Sequence, residues 1–71
     1  MQEASQPDVF QRIVMHAFGL RPVFRKVFLL CDIRGCSIEE TADILRISPA
    51  AVTTRLMRAR REMVIRLGTR H

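Results

Sequence analysis

The sequence predicts an all-α fold of four helices in a single small domain. Apolar residues make up 48% of the 71 residues, which is too large a share for a disordered chain. They recur at spacings of three and four residues, as on the face of a helix, and show no strand-like alternation. The three glycines and three prolines fall mostly where helices would begin or end. We therefore expect one domain over residues 8–67, between a flexible lead-in at 1–7 and a tail at 68–71.

The first helix is expected at Asp8–Phe18, with Asp8 as its N-cap and Gly19 as its stop. Its apolar residues share one face, which should pack on the rest of the domain. These residues are Val9, Phe10, Ile13, Val14, Ala17 and Phe18.

The second helix is expected at Pro22–Arg34. Proline suits the first helical position, because its missing N–H would have no partner there, and Gly35 suits the C-terminal cap. This helix is apolar nearly all round, which is typical of a helix packed on by several others. Leu29 and Ile33 either pack under the first helix or offer a patch to a protein partner, and the sequence leaves both open.

The third helix is expected at Ile38–Leu45, with a capping box between Ser37 and Glu40. The fourth is expected at Pro49–Leu67. Because three residues separate these helices, together they predict a helix-turn-helix over residues 38–67. No strand pattern follows, so we expect no wing.

The fourth helix begins with Ser48 as its N-cap and Pro49 at its first position. At about 100° per residue, its apolar residues form one stripe that should face the core. The opposite face is rich in arginine and small residues. The stripe consists of Val52, Leu56, Ala59, Met63 and Leu67.

Charge is unevenly distributed along the chain. Residues 46–71 hold seven arginines against one acid, Glu62, while residues 1–45 hold five bases against six acids. A basic end favours a polyanionic partner. Together with the helix-turn-helix it predicts double-stranded DNA, because the second helix of this motif enters the major groove.

The outer face of the fourth helix supplies the expected DNA-binding residues. Two small residues would let the backbone approach DNA, and three longer side chains would reach base edges. An arginine that pairs with guanine through two hydrogen bonds contributes about 1–3 kcal/mol of discrimination. Three further arginines would hold phosphates, which fix register without reading sequence. The small residues are Ala50 and Ala51, and the side chains that would reach base edges are Thr54, Met57 and Arg58. The arginines that would hold phosphates are Arg55, Arg60 and Arg61.

The run from Leu20 to Leu67 resembles region 4 of the extracytoplasmic-function sigma factors. Three pieces carry the resemblance in order: LRPVFRKVFLL, GCSIEETADIL and ISPAAVTTRLMRARREM. It implies a winged-helix-like fold without a wing, whose last helix binds the −35 promoter element. It also implies docking on the flap of the RNA polymerase β subunit and binding by an anti-sigma factor. The family's base-reading positions match Thr53, Thr54, Arg55, Met57 and Arg58 here.

Two residues depart from the family pattern. Arg46 stands at a turn position that is often glycine, and Thr53 stands where a basic residue is common. The second departure leaves the identity of the −35 sequence open. Region 2, which melts the promoter in this family, is not among the 71 residues. We therefore expect either an excised domain or a protein that never worked as a complete sigma factor.

Other function classes have little support in the sequence. Cys31, Cys36 and His16 match no common metal spacing, and a fourth ligand would have to come from His71 or an acid. We expect no metal, cofactor, small-molecule substrate or enzymatic activity. No membrane span or signal peptide is predicted, so a cytoplasmic location is expected. The alternative function is a sigma-like module that binds an anti-sigma factor without binding DNA.

Overall fold

The computed structural model describes residues 8–68. Within this range the chain forms four α-helices and no strand, as predicted. The helices are α1 (Val9–Ala17), α2 (Pro22–Phe28), α3 (Ile38–Leu45) and α4 (Pro49–Gly68), and a π-helical turn at Leu29–Ile33 continues α2. The predicted lead-in at 1–7 and most of the predicted tail lie outside the described residues. Gly68, which the prediction placed in the tail, still belongs to α4.

Helix starts follow the predicted caps. Asp8 accepts a hydrogen bond from the backbone N–H of Gln11 at 2.8 Å. Ser37 and Glu40 form the reciprocal capping box, with bonds of 3.0 and 2.8 Å. Ser48 accepts a bond from the N–H of Ala51 at 3.0 Å. Each cap satisfies backbone N–H groups that have no partner inside the helix, so each helix start is specified by nearby residues.

The core has two parts that meet along α4. The N-terminal half of α4 packs on α2 and α3, and its C-terminal half packs on α1, α2 and the π-helical turn. The predicted apolar stripe of α4 faces this core, with its first four residues buried and Leu67 half-buried. The helix-turn-helix core consists of Val27, Ala42, Val52 and Leu56. The second core consists of Ala17, Leu20, Phe28, Ala59 and Met63.

The expected apolar face of α1 is covered over only part of its length, which corrects the prediction. Ala17 is fully buried and Ile13 packs on the second core. Val9, Phe10 and Phe18 are instead 57–68% exposed. A nine-residue helix offers a short contact to α4 and the π-helical turn. From α2, Arg25 lies over the Phe18 ring, with its guanidinium carbon 5.8 Å from the ring centroid.

The prediction of one continuous α-helix over residues 22–34 is also corrected. After Phe28 the helix widens into the π-helical turn, where the N–H of Arg34 bonds to the carbonyl of Leu29 at 2.9 Å. Gly35 then takes φ 80°, and the N–H of Cys36 bonds to the carbonyl of Leu30. Leu29 and Ile33 are half-buried and pack on the second core, as the first of the two alternatives expects.

Arg46 adopts the left-handed conformation, with φ 58° and ψ 46°, in the turn between α3 and α4. A residue with a Cβ destabilises the folded state by about 1–2 kcal/mol in this conformation. Glycine has no such strain, but its greater freedom in the unfolded chain lowers stability by about 0.5–1 kcal/mol. We expect Arg46→Gly to raise the free energy of unfolding by about 0.5–1 kcal/mol, measured by urea denaturation. Arg34→Gly is the control, because Arg34 has φ −90° and should lose stability. Equal losses in both variants would contradict the argument.

Candidate nucleic-acid interface

The outer face of α4 presents most of the predicted DNA-binding residues to solvent. Thr53, Thr54, Met57, Arg58 and Arg61 are exposed. Ala50 and Arg60 are exposed as well, while Ala51 and Arg55 are half-buried. Met57, an apolar side chain in the middle of the helix, is 66% exposed. This face is therefore available to a partner along about three turns of α4.

A groove runs between the N-terminal half of α4 and the start of α2. The structure brings five of the predicted residues to its wall and adds three from α2. Three arginines and no acid line it, and alanines and apolar side chains form the rest of its surface. The lining residues are Ala50, Ala51, Thr54, Arg55 and Arg58 from α4, and Arg21, Val23 and Phe24 from α2 and its N-cap. We call this the basic groove.

The basic groove continues toward the C-terminal half of α4. The next depression shares Phe24 and Arg58 with it and adds Arg61, Glu62 and Ile65. Ile65, about half exposed, thus lines the same side of α4. Glu62 is the one acid along this stretch, so positive charge dominates from the start of α4 to Arg61.

The predicted arginines differ in what holds them. Within residues 8–68, no hydrogen bond or ion pair engages the side chains of Arg55, Arg58 or Arg61. The Nε and Nη2 atoms of Arg60 instead donate to the two carboxylate oxygens of Asp32 at 2.8 and 2.7 Å. Unpartnered guanidinium groups can bind an incoming anion without first breaking an intramolecular bond.

The Asp32 contact changes the expectation for Arg60. The hydrogen bonds to Asp32, helped by its negative charge and opposed by burial, raise the pKa of the Arg60 guanidinium. The side chain of Arg60 is 56% exposed, so solvent screens the pair, and such pairs contribute about 0.2–1 kcal/mol. Because Asp32 balances its charge, Arg60 should hold a phosphate more weakly than Arg61 does. The pair also fastens the π-helical turn to α4.

Thr53 and Arg66 have partners that sequence periodicity does not reveal. The Thr53 hydroxyl donates to the carbonyl of Pro49, one turn earlier, at 3.1 Å. The Nη2 atom of Arg66 donates to the carbonyl of Gly19 at 2.6 Å, which ties the end of α4 to the loop after α1. Thr53, Met57 and Arg60 do not line the basic groove.

Three lining residues of the basic groove were missed by sequence reasoning, namely Arg21, Val23 and Phe24. Arg21 belongs to the half of the sequence whose charges nearly cancel, so the charge count gave it no weight. The available signal was its place directly before Pro22, because the residue before a proline is held in extended backbone. Arg21 has φ −60° and ψ 147°, as that rule requires.

The Cys31 thiol takes part in packing. The Cys31 Sγ lies 3.2 Å from the hydroxyl oxygen of Thr41, which is fully buried. This contact joins the π-helical turn to α3. Within residues 8–68, no three histidine, cysteine or acidic side chains are grouped as a metal site would need. His71, a ligand considered from the sequence, lies outside that range.

Comparisons with known proteins point to one family. A protein-family model described as Sigma-70, region 4 matches residues 19–63, which is more than half of the chain. The match includes α2, the π-helical turn, α3 and α4 as far as the last buried residue of its stripe, Met63. No curated protein and no solved structure gives a significant match. Among the described helices, none combines the length and the hydropathy needed to cross a membrane.

Proposed function

Because this chain belongs to the sigma-70 region 4 family, whose role is to bind the −35 promoter element during transcription initiation, we propose that it serves as region 4 of an extracytoplasmic-function sigma factor. Region 4 is a DNA-binding family and not an enzyme family. The observation that carries the proposal is the outer face of α4. Three arginines there have no intramolecular partner within residues 8–68, and two of them line the basic groove.

In this proposal the residues of α4 have different tasks. Thr54, Met57 and Arg58 reach base edges from the exposed centre of the face. The small side chains of Ala50 and Ala51 let the backbone of α4 come close to the floor of the DNA major groove. Arginine offers donors in a fixed fork that matches the O6 and N7 acceptors of guanine. Backbone phosphates are held by the arginines at Arg55, Arg60 and Arg61, and Thr53 occupies one of the family's base-reading positions.

Two protein partners also belong to the proposal. RNA polymerase is the general partner of this family, and we propose the flap of its β subunit as the docking point. We further propose that an anti-sigma factor covers the domain. Tethering to polymerase would raise the effective concentration of a domain that by itself offers DNA a single recognition helix.

The proposal is tested by DNA binding over a salt series. The 71-residue chain is used to select duplexes from a random pool, and the dissociation constant of the selected duplex is measured by fluorescence anisotropy. If three to five phosphates are neutralised, log affinity should fall against log salt with a slope of about −2.7 to −4.5. A scrambled duplex should bind more weakly at every salt concentration. A flat salt response, or no enrichment from the pool, would contradict DNA binding.

The alternative is a module that binds an anti-sigma factor without DNA. The exposed apolar side chains of α1, among them Phe10, Met15 and Phe18, favour a protein contact on that helix. They do not explain why Arg55, Arg58 and Arg61 make no side-chain hydrogen bond or ion pair within residues 8–68. The salt series separates the two functions, since such a module would give no sequence-dependent duplex binding.

A further inference from the structure

We propose that Arg21, at the start of α2, contacts the DNA backbone from outside the helix-turn-helix, in addition to the backbone contacts of α4. This inference rests on the proposed function and deepens it. It assigns to the DNA interface an element that precedes the two helices of the motif. The starting observation is that Arg21 lines the basic groove together with Arg55 and Arg58, although it lies more than thirty residues away in sequence.

The position of Arg21 is fixed by its surroundings. Pro22 occupies the first helical position of α2 and restricts the residue before it to extended backbone. Leu20, on its other side, is 4% exposed and belongs to the second core. The backbone of Arg21 is therefore held on both sides. Its exposed side chain makes no hydrogen bond or ion pair with any residue from 8 to 68.

The chemistry of the groove favours a phosphate backbone as its occupant. Its three charged lining residues are all arginines, and a guanidinium binds a phosphate through two parallel hydrogen bonds. When a recognition helix lies in the major groove, which is about 12 Å wide, the two DNA backbones flank it on either side. Arg21 lies on the flank of α4 formed by α2. It is therefore placed to hold the backbone on that side while Thr54 and Arg58 face the bases.

The test compares Arg21→Ala with Arg12→Ala on the selected duplex and on a scrambled one. Arg12 is an exposed arginine of α1 that lines none of the grooves described above. Loss of one phosphate contact should reduce the salt slope by about 0.9 and weaken binding about five-fold at 0.15 M salt. The loss should be equal for both duplexes, because a phosphate contact carries no sequence information. Arg21→Lys should recover most of the affinity.

A second measurement locates the contact. A set of duplexes is made in which one backbone phosphate at a time is replaced by a neutral methylphosphonate. The unaltered chain should bind more weakly to each duplex in which the replaced phosphate is one that it contacts. Arg21→Ala should become insensitive to neutralisation at one such position, at the edge of the site, while Arg12→Ala keeps the full pattern. Circular dichroism checks that each variant is folded.

The outcomes separate this inference from the proposed function. If the unaltered chain binds duplexes with the expected slope but Arg21→Ala behaves like Arg12→Ala, the Arg21 contact is wrong and the function stands. If Arg21→Ala instead weakens only a protein complex, the basic groove takes an acidic protein surface and the inference is again overturned. If the unaltered chain binds no duplex, the proposed function itself fails.

Discussion

Arg58→Ala is expected to weaken binding to the selected duplex about 5- to 150-fold more than binding to a scrambled duplex, which corresponds to a loss of about 1–3 kcal/mol of base discrimination. Binding to a scrambled duplex should fall much less, by about five-fold, because the variant loses one positive charge that attracts the phosphate backbone. The reason is geometric, because Arg58 is exposed at the centre of the outer face and has no partner within the described residues. The measurement is anisotropy on both duplexes at fixed salt.

Two control variants show whether Arg58 reads bases or holds a phosphate. Arg58→Lys keeps the charge but loses the planar fork, so it should keep affinity for the scrambled duplex and still lose selectivity. Arg61→Ala removes an exposed arginine one turn farther along α4 and should weaken both duplexes equally. If Arg58→Ala also weakens both duplexes by the same factor, Arg58 is a phosphate contact and the base reading belongs to other residues.

Leu56→Ala is expected to lower the free energy of unfolding by about 2–5 kcal/mol. Leu56 is 5% exposed and packs with Val27, Ala42 and Val52, where α2, α3 and α4 meet. A domain of this size has a total stability of only about 4–10 kcal/mol, so the variant should be partly unfolded at 37 °C. It should lose DNA binding in proportion. Urea denaturation followed by circular dichroism gives the change.

Met57→Ala is the matched control for that substitution. Met57 is adjacent in sequence but 66% exposed, and surface substitutions usually change stability by less than about 0.5 kcal/mol. Any effect of Met57→Ala should therefore be on DNA selectivity. Similar stability losses in the two variants would mean that α4 does not face the core as described.

Most of the helix starts could be predicted because they depend on residues close together in sequence. Asp8, the Ser37–Glu40 pair and Ser48 each bond to a backbone N–H three residues away. The left-handed conformation of Arg46 agrees with the family resemblance, in which this turn position is often glycine. The stripe on α4 could be predicted because a long helix repeats its pattern over several turns.

The parts that could not be predicted depend on contacts between distant residues. The periodicity of α1 marks an apolar face, but it does not say that little of the domain covers Phe10 and Phe18. The π-helical turn has no strong local signal, and the structure shows it joined to α3 through Cys31 and to α4 through Asp32. The sequence assigns Arg60 the same phosphate-holding role as Arg55 and Arg61. Only the structure shows that Asp32 lies beside Arg60.

The sequence by itself determined that this protein is a four-helix domain ending in a helix-turn-helix, with a basic outer face on its last helix. Those properties follow from caps, spacing and charge, which act over a few residues. Only the tertiary structure decided which arginines are free, which one is paired with a carboxylate, and that Arg21 shares a groove with Arg58. A side chain's partners depend on which helices pack together, and packing brings together residues that lie far apart in sequence.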